Sequence, residues 1–178
     1  MTTMELKSLA DLTKLERRTT AFGPHGLMTD RALNDEAAAQ FAQRVIAESD
    51  LHAGVPVEVR DYFETARRLH IYGLFVYEFF ALAADRALFA CEFALREKYK
   101  ARNPAARNER KRPLMLRALL KWAKSEGLLP SERDEARLLV LADLRNFAAH
   151  PEMNRIAMPP YSARIIASAA ALINELWS

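Results

Sequence analysis

Cysteine is nearly absent from this chain: Cys91 is the only one among 178 residues. No intrachain disulfide can form, and a reducing cytoplasm is the compartment that such usage fits. Glycine is also scarce, with five residues lying mainly outside the stretches of periodic hydrophobicity, which points to an all-α chain. No apolar run approaches the ~20 residues of a membrane-spanning helix, so no membrane partner is expected. Met1–Arg18 carries charges throughout and lacks the pattern of a signal peptide. The four histidines and one cysteine show no metal-ligand spacing, so neither a zinc site nor another cofactor is expected. No Gly-rich phosphate loop occurs, which removes nucleotide hydrolysis of the P-loop kind. There is no internal repeat and no low-complexity tail. Net charge is only +3, which permits RNA or another polyanion as partner without demanding one.

Hydrophobic residues are plentiful, at 51%, and the length suits one domain with a full core. The N-terminal part, 1–30, reads as a short helix and a loop, and 31–178 as the bundle. Over residues 3–18, Leu6, Leu9, Leu12 and Leu15 make an apolar edge, with Thr2 and Glu5 in capping-box register. Gly23-Pro24-His25-Gly26 is a loop. Thr29 or Asp30 can cap a helix over 31–49 whose apolar face is Ala38, Phe41, Ala42, Val45 and Ile46. Pro56 opens a long helical stretch that runs to Tyr99 with a bend near Gly73. Helices over 114–124, over 131–150 with Ser131 and Asp134 in capping register, and over 161–177 complete the pattern.

The stretch from 74 to 95 is apolar almost all round, which predicts cover from other helices or from a second chain. One narrow polar stripe interrupts it: Glu78, Asp85 and Glu92 recur every seven residues, and Arg96 follows Glu92 at i+4. Carboxylates in an apolar helix need a cationic partner. Downstream, Arg145 falls within the apolar arc formed by Leu138, Leu141 and Ala142, and is the natural candidate. A structural ion-pair network with Arg86, Arg96 or Arg137 would satisfy the same acids.

Arg145 also opens a motif. Arg145-Asn146-Phe147-Ala148-Ala149-His150 is followed by Pro151, which disfavours helix at the residue before it. Five positions along a straight helix rotate a side chain by about 140°. A frayed or kinked end lets Arg145 and His150 point into one space. The spacing resembles the Arg-x4–6-His motif of HEPN domains, including the Asn after the Arg. Arg18 and His25 show a similar spacing in an expected loop, without the Asn.

The resemblance implies an all-α bundle of five or six helices and a homodimer whose motif helices face each other. It implies metal-independent RNA cleavage, with Arg145, Asn146 and His150 as the catalytic set; the stripe of Glu78, Asp85 and Glu92, read from the residues themselves, would support them by orienting the Arg and the imidazole. Toxin–antitoxin or defence systems are the setting it suggests, with an antitoxin or regulatory protein as a further partner. One departure stands out. A Tyr often lies two residues after the His in toxin-type relatives paired with a nucleotidyltransferase, and here that residue is Glu152.

Between Lys98 and Pro113 the chain is strongly basic. Lys98, Lys100, Arg102, Arg110, Lys111 and Arg112 can follow a phosphate backbone, with Arg107 among them and Tyr99 placed to stack on a base. A solvated loop has the same composition. The alternative to catalysis is a non-catalytic helical dimer that binds a protein or a small ligand.

Overall fold

The computed structural model describes residues 8–20, 34–104, 114–129, 142–146, 148 and 157–178. Those residues form helices and turns with no strand, so the chain is all-α. In order they are α1 (Leu9–Leu12), α2 (Arg17–Thr20), α3 (Asp35–Ala47), α4 (Val57–Tyr72), α5 (Phe79–Arg102) and α6 (Leu116–Ser125). A helical segment at 142–146, here α7, and α8 (Pro159–Trp177) follow. None of these helices is long and apolar enough to cross a membrane.

At the centre lies α5. It runs antiparallel to α4: His70 meets Phe80, whereas Tyr62 meets Phe93 further along. It runs parallel to α8, where the Cys91 thiol lies 3.9 Å from the Ala169 carbonyl and Lys98 lies over Trp177. Ala83, Ala84, Ala87, Ala90 and Ala94 are fully buried, and these small side chains let neighbouring helices approach closely. Most of the apolar surface of α5 is therefore covered by α4, α6 and α8 of the same chain, while Leu82 stays half exposed. Cys91 is a buried core thiol.

Where the sequence predicts a bend near Gly73, the helix breaks completely over residues 73–78. A Cβ on Gly73 would stand 2.7 Å from the Phe80 ring, so only glycine lets α5 fold back this closely on α4. The N-terminal segment fastens this break. Glu16 N–H donates to the Leu74 carbonyl at 2.8 Å, and the Glu16 carboxylate accepts from Tyr77 N–H at 2.8 Å. Arg18 pairs with Glu78 at 3.0 Å and lies over the Tyr77 ring.

These tertiary bonds explain why the single helix expected over 3–18 is instead two short helices separated at 13–16. Ser8 caps the first of them, accepting from Asp11 N–H. Of the predicted apolar edge, Leu9 and Leu12 are exposed and Leu15 packs against the cluster of Ala38, Ala42 and Leu74.

Three other boundaries have clear local causes. Asn34 caps α3 through its side chain, accepting from Ala37 N–H at 2.8 Å. Gly127, at φ 68°, closes α6 in a Schellman motif, with Leu128 N–H donating to the Ala123 carbonyl. Pro159 and Pro160 lie inside the first turn of α8 rather than before it, where a missing N–H leaves no bond unmade. The caps expected at Thr2 with Glu5, at Thr29 or Asp30, and at Ser131 with Asp134 lie outside the described residues.

Candidate functional site

The site grows from Glu92. It sits in the buried middle of α5, and its side chain is only 8% exposed. A carboxylate so placed must be compensated. Arg96, one turn further along α5, donates Nε at 3.1 Å and Nη2 to Oε1. From α7, Arg145 donates Nε to Oε2 of the same carboxylate. One buried acid therefore bridges two guanidinium groups on different helices.

Both arginines keep contact with solvent, Arg145 at 22% and Arg96 at 27% exposure. The Arg145 guanidinium also lies 5.2 Å from the centroid of Phe89, one turn before Glu92. That ring and the carboxylate together fix the plane of the cation. Asn146 follows on α7 and is half-buried. Among the described residues, two positive charges face one negative in this cluster.

The predicted acid stripe does not act as a unit. Glu92 holds Arg145, but Glu78 stands 64% exposed at the start of α5 and pairs with Arg18. Rise explains the difference. Fourteen residues at 1.5 Å each place Glu78 and Glu92 about 21 Å apart, beyond the span of one guanidinium. Angular register alone brought them together on paper. Asp85, one heptad from each, is half-buried on α5. Arg86, another candidate partner for the acids, lies over the Tyr62 ring at 3.4 Å.

The basic stretch is partly committed to the fold. Lys98 lies 4.5 Å from the centroid of Trp177, and burial, then Arg102, holds its pKa below the ordinary lysine value. Lys100 pairs with Glu97 at 2.7 Å. Tyr99, placed by sequence to stack on a base, instead packs edge-on against Trp122 at 4.9 Å. Arg102, the last residue of α5, is exposed. Arg107, Arg110, Lys111 and Arg112 lie outside the described residues, as do His150, Pro151 and Glu152. Arg18 of the second Arg–His spacing is held by Glu16 and Glu78, and His25 lies outside the described residues.

Sequence reasoning placed Arg145 correctly beside Glu92 but left two residues of the cluster out of the site. Arg96 was visible as the i+4 partner of Glu92, a spacing that favours a helical ion pair. Phe89 looked like any other core aromatic. No protein-family model matches the chain, and neither a curated protein nor a solved structure matches it.

Proposed function

We propose that this chain is a HEPN-like, metal-independent endoribonuclease that acts as a homodimer. The observation that carries this reading is the seating of Arg145. A buried carboxylate takes its Nε, and the guanidinium keeps part of its surface in solvent, where an oxyanion can reach it. A planar guanidinium is well suited to a phosphoryl group and to the charge that develops on it during transfer. Asn146, adjacent on α7, can orient the phosphate or an imidazole by hydrogen bonding.

In the reaction, the His150 imidazole takes the proton from a ribose 2′-OH or gives one to the leaving 5′-oxygen. The 2′-oxygen attacks the adjacent phosphorus and the bond to the 5′-oxygen breaks. The product is a 2′,3′-cyclic phosphate, and DNA is not cut because it lacks the nucleophile. The resemblance suggests a role in toxin–antitoxin or defence systems, in a reducing cytoplasm. Glu152 in place of Tyr leaves the modification known in such pairs without its acceptor at this position.

The second reading, a non-catalytic helical dimer that binds a protein or ligand, draws support from the basic stretch. Lys98, Lys100 and Tyr99 all have partners within the chain.

Purified protein incubated with structured and single-stranded RNA in EDTA tests the choice. Cutting is expected, with His150→Ala reducing it by about 10²–10⁴-fold while the melting temperature stays close to the parent's. A parent that cuts no RNA favours the binding module. A His150→Ala variant as fast as the parent rules out this mechanism.

A further inference from the structure

The cluster on Glu92 holds more cation than the proposed reaction has so far used. Arg96 presents its Nε and Nη2 to Oε1, and Arg145 presents its Nε to Oε2. The acid thus gathers the inner edges of both groups. One carboxylate thus holds two part-exposed guanidinium groups from neighbouring helices. A ligand suited to two such groups is a singly charged tetrahedral oxyanion, which accepts several N–H donors.

We infer that Arg96 is a second phosphate-binding residue, gripping an RNA phosphodiester together with Arg145, and that Glu92 is the positioning residue that holds both. This rests on the reading of Arg145 as a phosphate ligand. It relocates part of the RNA contact from the basic stretch at the end of α5 to the middle of that helix. The site lies where α5 and α7 meet.

The test separates binding from cutting. A single-stranded 2′-O-methyl RNA oligonucleotide cannot be cleaved by 2′-OH attack, and its affinity is measured by fluorescence anisotropy across a salt series. Arg96→Gln should weaken binding about ten- to a hundredfold, as expected for a lost charge-assisted hydrogen bond. The slope of log affinity against log salt should become shallower by about 0.7, the value of one phosphate contact on a single strand. Arg96→Lys keeps a charge without the fork, so it should retain the slope and recover part of the affinity. Arg44→Gln, on the exposed face of α3, should change neither quantity.

Should Arg96→Gln fail to fold, Arg96→Lys carries the test by its own loss of affinity. An Arg96 variant with the parent's affinity and salt slope overturns the inference. So does a parent that does not bind the oligonucleotide. If the parent binds and depends on Arg96 yet cuts no natural RNA, the phosphate site stands and the ribonuclease reading falls. If it cuts while Arg96→Gln and Arg96→Lys bind unchanged, the reverse holds.

Discussion

His70 shows what burial does to one titrating group. Its ring is buried between Ser162 and Phe80, with Nδ1 3.0 Å from the Ser162 hydroxyl and the two rings edge-on at 5.0 Å. Burial lowers its pKa to about 4. In the unfolded chain the same imidazole titrates near 6.5, so between these values the unfolded state binds more protons. The stabilising contribution of the neutral ring is therefore complete above pH 6.5 and is lost as the pH falls towards 4. From pH 7 to pH 5 the loss should be about 2 kcal/mol. Urea denaturation at the two pH values checks this against His70→Gln, which has no imidazole to charge. The expected result is that the variant loses clearly less stability than the parent over that interval. Equal losses in the two proteins would show that His70 does not titrate between them.

The cluster on Glu92 is a property of two helices together, so its energetics belong to α5 and α7 as a pair. Removing Arg145 leaves Glu92 with Arg96, and removing Arg96 leaves it with Arg145. Each single Ala replacement should cost about 1–2 kcal/mol, the order of one charged hydrogen bond. Removing both strands a carboxylate that is almost wholly buried, a loss of about 3–5 kcal/mol. A double-mutant cycle in urea should thus find the pair more destabilising than the sum of the singles by about 1 kcal/mol. Additivity within about 0.5 kcal/mol would mean that Glu92 does not need either cation. This sharing was only half legible in the sequence. The i+4 step from Glu92 to Arg96 is local and could be read directly. The reach of Arg145 depends on how α7 lies on α5, which no spacing encodes. The break at 73–78 was hidden for a related reason. Gly73 signals a weak point, but the bonds that hold the break open come from Glu16 and Arg18, far away in sequence.

For the whole molecule, helical periodicity made the all-α class legible, because scarce glycine and unbroken apolar spacing leave no room for strands. Assembly was less legible, since an all-round apolar α5 fits equally a helix buried in its own bundle and one buried by a partner, and in the structure α4, α6 and α8 cover most of it while Leu82 stays half exposed. The proposed homodimer consequently rests on the resemblance of the Arg145–His150 stretch and on the chemistry that two facing motifs would share. That chemistry makes a demand of its own. If one cleft takes residues from both copies, a subunit without Arg145 and a subunit without His150 can complement each other. Arg145→Gln and His150→Ala chains, each inactive alone, should recover cutting when co-expressed and purified as a mixed dimer, because one cleft then holds an intact Arg145 and an intact His150. Sedimentation of the parent at micromolar concentration should show a dimer, and activity per chain should fall on dilution once the dimer dissociates. A monomer at that concentration removes the shared cleft. A stable mixed dimer without recovered cutting shows instead that each copy needs its own Arg145 and His150, so that the two chains associate without sharing the reaction.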